Sequence, residues 1–378
     1  MGGGPAGSTA AKLLAERHEV LILEEHTSPG QPMQCAGLVT ERGVPSFARD
    51  SVIARIRGAR LHSPLGFTLS LEARASRACV IDRARFDRVL FNAAVDEGAV
   101  PLLGARVTSV LDRQSGPAVR ANHEGKLIEV LASVVVGADG YKSLSRRAAR
   151  LRPPRHMLTG LQVDLKGVDA DPDFVDLFFG SKIAPGFFAW AIPAGDHTRV
   201  GLCTWASDHT PAVYLQKLLR GPEFAKCKRI SIASGKIPVG TGRSAVGGNI
   251  MLVGDAACHA KPLSGGGIYT GVTGAQLCAR VADSYLEDPG STPLSEYDAL
   301  WKDAFGRELS RAFRVRKVFL ALNDKKLDKA LRMFNDPAVK ELLEGRGDID
   351  YPASLSKAVL KLAPKLAQFS PQVIESLL

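Results

Sequence analysis

The sequence predicts a doubly wound (Rossmann-like) α/β domain, interrupted by an inserted antiparallel sheet and followed by a helical C-terminal region. Three observations predict it. A glycine-rich turn opens the chain and runs directly into a helical stretch. Short apolar strands at 20–23, 133–136 and 249–253 each lead to an acid or to a glycine-acid turn. The stretch from about 155 to 235 alternates apolar and polar residues, as antiparallel strands do.

Taken in order, Met1 to Ser8 forms the turn and a helix continues to about Arg17. The strand Val20-Leu21-Ile22-Leu23 ends at Glu24, and a polar loop runs to about Gly43. Short strands are expected over 52–81. Arg85 to about Glu97 reads as an amphipathic helix with Phe86, Val89, Leu90 and Ala93 on one face. Strands fill 100–121, and Ser133 to Val136 runs into Gly137-Ala138-Asp139-Gly140. The alternating stretch contains Phe178-Phe179, Phe187 to Pro193 and Arg199 to Thr204, with one helix near 211–220. Asn249 to Val253 meets Gly254-Asp255, and a long helix follows from about Gly267 to Leu286. From about 293 the chain is helical and basic. No linker rich in serine or proline separates these parts. The expected division is therefore discontinuous: 1–50, 82–150 and 236–290 form the nucleotide-binding domain, 51–81 and 151–235 the inserted domain, and 291–378 the helical region.

The 378 residues, 45% of them hydrophobic, suffice for more than one core. A net charge of +10 suits an anionic surface or a phosphorylated substrate. No interleaving of aromatic and basic residues suggests nucleic acid as a partner. The six cysteines (Cys35, Cys79, Cys203, Cys227, Cys258, Cys278) form no CxxC pair and read as free thiols of a reducing, cytoplasmic compartment. No Cys/His spacing suggests a metal. No apolar run approaches the length of a membrane span, which leaves at most peripheral membrane contact.

Gly2, Gly4 and Gly7 match G-x-G-x-x-G. Such glycines permit a tight turn, close approach of backbone to a pyrophosphate and close helix–strand packing, and the helix start adds free N–H groups and a positive dipole end. Glu24, at the end of the next strand, is placed to accept from a ribose hydroxyl. The strand that should precede the loop is missing, because only Met1 stands before Gly2. The expectation is that the natural protein starts several residues upstream; a native mass of 40.3 kDa with the nucleotide bound would overturn it.

Two further turns narrow the nucleotide. Gly137-Ala138-Asp139-Gly140 is followed by Ser143 and Arg146. Gly254-Asp255 is followed by Pro262-Leu263-Ser264-Gly265-Gly266-Gly267-Ile268, which opens the long helix. A strand-end carboxylate binds a ribityl hydroxyl, and a glycine-rich helix start favours negative charge at the pyrimidine end of a reduced flavin. The three signatures in this order point to FAD, and a simple nicotinamide fold has no use for the last two.

With these motifs in place, the chain resembles the FAD-dependent geranylgeranyl reductase family (the archaeal digeranylgeranylglycerophospholipid reductase type), within the group that includes aromatic-ring hydroxylases and flavin halogenases. Four segments carry the resemblance over roughly 1–320: Gly2 to Ser8 with Glu24, Gln31 to Leu38, Pro185 to Gly195, and Gly254-Asp255 through Ile268. Cys35-Ala36-Gly37 and the triple glycine separate it best from the hydroxylases. The resemblance implies FAD contacts at Gly2, Gly4, Ala6, Gly7, Glu24, Cys35, Ala36, Arg83, Val107, Asp255, Gly267 and Ile268. It implies a substrate wall at Phe188, Trp190 and Pro193, where the family often has tyrosine at the first of these positions. A plain buried strand has the same pattern, and halogenases carry a similar aromatic segment.

The activity implied is saturation of isolated C=C bonds of geranylgeranyl chains, on a prenyl lipid or prenyl diphosphate, with NAD(P)H or ferredoxin as electron donor. An unpolarised alkene needs a proton at one carbon when hydride reaches the other. Cys35 is the candidate catalytic donor, since a free thiol is mostly protonated at neutral pH; a small residue packed on FAD is the other reading. His259 reads equally as a solvent-facing loop residue or a proton relay. The tail from Ser354 (Lys357, Leu360, Lys361, Leu362, Lys365, Leu366) is basic and partly amphipathic, which suits a packed surface helix or an anionic bilayer. A FAD-dependent monooxygenase or halogenase is the alternative function, and a flavin-bearing electron carrier a third.

Overall fold

In the computed structural model, residues 1–362 and 364 are described, apart from 114, 115, 155, 206, 241 and 243; Lys365 and Leu366 of the basic tail therefore lie outside the described residues. The parallel core comes in two pieces. Leu21–Glu24 pairs in parallel with Val100–Leu103, and Val135–Gly137 pairs in parallel with Ile250–Leu252. Met1 and Gly2 lie between them: Gly2 N–H donates to Leu23 O at 2.8 Å, the Met1 amino group to Val136 O at 2.9 Å, and Ala138 N–H to Met1 O at 2.8 Å. Two residues thus hold the place of the central strand at the carboxyl ends of its neighbours, where a doubly wound sheet binds its ligand.

Helices Pro5–Ala15, Arg83–Asp96 and Ile268–Glu287 pack on this core. The helix at 83 begins earlier than the apolar periodicity indicates. Asp82 caps it by accepting from Arg85 N–H, which extends the start past the first apolar residue. Its buried face is Phe86, Leu90, Phe91 and Ala94, with Ala93 half-buried. Each of the Phe and Leu side chains taken out of water contributes about 1.5–3 kcal/mol.

The inserted region forms a seven-stranded sheet in the order Lys228–Val239, His156–Lys166, Thr198–Thr204, Phe188–Pro193, Phe174–Phe179, Gly58–His62, Thr68–Glu72, antiparallel except where Phe174 pairs with Gly58. One face carries Val163, Leu165, Ala189, Ala191, Val200 and Leu202 under helix Pro211–Leu219. Near the other lie the C-terminal helices, through Ser63 to Asp328 and Ser181 to Asp324. Separate three-stranded sheets are made by Leu38–Val39, Ala78–Ile81 and Val52–Ile56, and by Arg106–Leu111, Ala118–His123 and Lys126–Leu131. Among the described residues, no helix is long and apolar enough to cross a membrane.

Candidate active site

The glycine turn divides its labour. At Gly2, with φ +89°, a Cβ would stand 2.4 Å from Ala138 O, and at Gly7 it would stand 1.9 Å from Gly2 O; both are closed to any side chain. At Gly4 a Cβ would meet nothing within 4 Å. Backbone packing therefore requires the first and third glycines, while the second opens onto space that a pyrophosphate can enter. Gly4 is also the N-cap of Pro5–Ala15 and provides no capping side chain, so the N–H groups of the first turn stay free for an anion.

Glu24 lies at the end of its strand with Oε2 accepting from Gly3 N–H at 2.7 Å, and Oε1 from His26 N–H and bonded to Nδ1 of that ring. Gly104 N–H and Ala105 N–H donate to His26 O and Glu24 O, which puts Val107 just beyond the acid, on the edge of the core. Ala6 packs against Gly254 (φ +60°) and Gly271, joining the first helix to the long one.

Arg83 donates from Nε and Nη2 to both Asp87 oxygens, at 3.0 and 2.8 Å, and reaches the Cys35 thiol. Burial works against its charge, but Asp87 prevails and keeps the guanidinium firmly protonated. Cys35 Sγ also accepts from Gly37 N–H at 3.3 Å, and Arg199 Nη1 donates to Ala36 O at 2.7 Å. The strands beneath explain how this loop docks. Gly160 pairs with Cys203 on one side and Gly235 on the other, and Gly235 leaves room for the backbone of Gln34.

Across from Arg83, the Asp255 carboxyl accepts no hydrogen bond among the described residues. Burial pushes its carboxyl up to about 6, with Arg83 opposing. It faces Gly267, the uncapped start of Ile268–Glu287. Arg146 braces this turn from behind by donating to Ala256 O at 2.7 Å. His259 is neither solvent-facing nor linked to a relay. It is completely buried against Trp301 and Phe305, and both ring nitrogens lack partners among the described residues. Burial holds it neutral, down to about 3, with Arg146 acting in the same direction.

The substrate side is an apolar cavity of about 460 Å³. Leu38, just after Cys35-Ala36-Gly37, and Leu263 and Ser264, just before the triple glycine, line it together with Phe187, Phe188, Phe179 and Phe319. Of the three residues expected there, only Phe188 lines it. Trp190 lies flat over Gly201 with Nε1 donating to Gln162 Oε1 at 3.1 Å, and Pro193 falls on the opposite face of its strand. Sequence reasoning missed walls contributed by Arg316 and Phe319 from helix Arg307–Leu320 and by Ile349, Pro352 and Leu355 beyond it. It also missed the latch that holds that last segment. Asp350, buried, takes Lys261 Nζ at 2.6 Å, Thr40 Oγ1, and Arg42 at 3.1 Å, tying the C-terminal segment to the stretch after Cys35-Ala36-Gly37 and to the loop before the triple glycine.

The open position at Gly4, two uncapped helix starts and two strand-end carboxylates fit FAD, and together with the adjoining apolar cavity they define an FAD-dependent oxidoreductase. The chain belongs to the FAD binding domain family, matched over residues 1–304, and within it to the digeranylgeranylglycerophospholipid reductases: it is 30% identical over 380 residues to digeranylgeranylglycerophospholipid reductase 1 of Methanococcoides burtonii, covering 96% of this chain and 92% of that one. The crystal structure of a geranylgeranyl bacteriochlorophyll reductase-like protein from Thermoplasma acidophilum is similar with a TM-score of 0.85 at 24% identity, covering 100% of this chain and 96% of that one. A triple mutant of the flavin-dependent brominase Bmp2 reaches 0.71 at 15% identity, covering 97% of each chain. These two likenesses show a shared fold.

Proposed function

We propose that this protein saturates C=C bonds of geranylgeranyl chains borne by a membrane lipid or a prenyl diphosphate, with Cys35 donating the proton. The observation that carries the reading is the cavity: apolar, about 460 Å³, and lined by Leu38 just after the Cys35 segment and by Leu263 and Ser264 just before the triple glycine. When bound, reduced FAD supplies the hydride. The chain's own residues do the rest. Gly4 and the first helix start receive the pyrophosphate, Glu24 a ribose hydroxyl, and Asp255 a ribityl hydroxyl, while Ala6, Ala36, Val107, Gly267 and Ile268 pack along the cofactor. The phenylalanines exclude water and seat the chain, and Arg83 holds Cys35 in place.

The proposed division of the chain follows the same logic, with 51–81 and 151–235 building the substrate side and 1–50, 82–150 and 236–290 the flavin side. The reductant is NAD(P)H or ferredoxin. The tail helix Ser356–Leu362 turns Val359 inward and leaves Lys361 and Leu362 exposed, which supports a peripheral contact with anionic lipid; cosedimentation with anionic but not neutral vesicles is the expected result.

An anaerobic single turnover tests the activity. The photoreduced protein is mixed with a geranylgeranyl glycerophospholipid, and flavin absorbance and product mass are followed. Reoxidation with a product heavier by pairs of hydrogens is expected; flavin that stays reduced until air enters, then converts an aromatic substrate, overturns it in favour of a monooxygenase. Cys35→Ser and Cys35→Ala should retain FAD and lose about a hundredfold in rate, within the usual reach of general acid catalysis. Full turnover in either removes Cys35 from the chemistry.

A further inference from the structure

Arg316 is among the largest side chains the fold buries outright, 1% exposed. Its guanidinium lies between two rings, 4.9 Å from the centre of Phe187 and 4.4 Å from that of Trp205. Nη1 donates to Pro262 O at 3.2 Å and Nη2 to Gly186 O at 2.6 Å, while Nε is buried with no partner among the described residues. Among the described residues no carboxylate pairs with it, and the Cys203 thiol is the titratable group that acts on it. Lys261, also buried, is paired with Asp350, and the half-buried Arg83 with Asp87.

A buried cation without a counter-charge is costly. The flanking rings lower that cost, because a planar, weakly hydrated guanidinium suits aromatic faces, but structure alone does not require a charge here. The two carbonyls it holds belong to different halves of the site. Pro262 opens the loop that leads through Gly265-Gly266-Gly267 to the long helix, and Gly186 precedes the Phe187-Phe188 wall. Arg316 also lines the cavity itself.

We propose that Arg316 is a positioning residue that clamps the triple-glycine loop to the aromatic wall and whose unneutralised charge favours the reduced, negatively charged flavin held at that loop. The inference rests on FAD lying against Gly265 to Ile268, as in the function proposed above.

The test is the midpoint potential of the bound flavin, read beside the anaerobic single-turnover rate. Arg316→Met removes charge and fork together. The preference for reduced flavin should fall about tenfold, a potential ~30 mV more negative for a two-electron couple. Arg316→Lys keeps the charge and loses the fork, so the potential should stay at the parent value while the rate falls at least tenfold. A parent-like potential in Arg316→Met, or an equal drop in Arg316→Lys, overturns the electrostatic role; a parent-like rate in Arg316→Lys overturns the clamp. Should Arg316→Met fail to hold FAD, Arg316→Lys decides by the same two readings. Ser264→Lys, which adds a charge on the loop, separates the possible failures. A raised potential there, with none lost in Arg316→Met, keeps the flavin at the loop and ends the role of Arg316. An unmoved potential in both takes the flavin away from the loop.

Discussion

The flavin side and the cavity side of this site are built by opposite rules. On the flavin side each position is fixed by its immediate neighbours: Gly7 because Gly2 O leaves no room for a methyl group, Glu24 and Asp255 because a strand ends there. The cavity takes Leu38, Leu61, Val175, Phe188, Phe319 and Leu355 from segments scattered along nearly the whole chain. It asks of each only apolar volume. One half is therefore specified by residue identity and the other by summed shape. The first should fail abruptly on single substitutions and the second gradually.

The glycine turn gives the largest contrast. Gly7→Ala forces a methyl group onto Gly2 O, so the variant should purify colourless, with FAD content below a tenth of the parent. Gly4→Ala meets nothing in the protein; its apoprotein should melt within a degree or two of the parent while FAD affinity drops ten- to a hundredfold. Equal melting losses in both would remove the distinction between a packing glycine and an approach glycine.

Next in size is the latch that joins the halves. Asp350→Ala strands Lys261, 7% exposed, without its carboxylate, removes the acceptor of Thr40, and leaves Arg42 with Asp348 alone. Breaking a buried pair from one side costs about 3–5 kcal/mol, and denaturant unfolding should show it. A loss below 1 kcal/mol would mean that the C-terminal segment is held by its apolar contacts alone.

What the sequence made legible follows the same line. Gly2, Gly7, Glu24 and Asp255 could be singled out because turn chemistry is local, and an antiparallel sheet could be anticipated from alternation over 155–235, which supplies five of its seven strands, with the short strands expected over 52–81 supplying the other two. Helix Arg307–Leu320 could not be placed. Its basic residues suit a solvated face, yet Arg316 points inward between Phe187 and Trp205, a pairing separated by more than a hundred residues that no local pattern encodes. Trp190 shows the converse, since its motif is visible but its orientation depends on Gly201 of the neighbouring strand leaving room for the indole. His259 belongs with it, because only the packing of Trp301 and Phe305 reveals that the ring is sealed.

Asp255 tests whether the flavin side is built for its ligand or for its own stability. Its carboxyl is raised from 3.8 to about 6 in the folded protein. As pH rises between these values the unfolded chain releases this proton while the folded one keeps it, so apoprotein stability falls and then levels off above 6. The cost at neutral pH is about 2–3 kcal/mol. Asp255→Asn should recover it in the apoprotein at pH 7, show no difference from the parent near pH 3.5, and bind FAD more weakly. His259 titrates with the opposite sign, its neutral form losing stability as pH falls below 6.5, but it is common to both proteins and cancels in the difference. A less stable Asp255→Asn apoprotein at pH 7 would make Asp255 a structural acid.

The smallest expected effect falls on the cavity. Phe319 lies 6.0 Å, ring to ring, from Phe179, which in turn lies 5.7 Å from Phe188, so three aromatic side chains from three segments share one wall. Phe319→Ala removes apolar surface from that wall without touching the flavin loops. The seating of the chain should weaken, kcat/KM for a geranylgeranyl lipid falling about tenfold, near 1.4 kcal/mol, while FAD affinity stays within twofold. Phe188→Ala should do the same, and the double variant should lose less than the product of the two, because neighbours around one space share its cost. A strictly multiplicative loss would mean the two rings serve separate stretches of substrate, and the cavity would then have to be treated, like the flavin side, position by position.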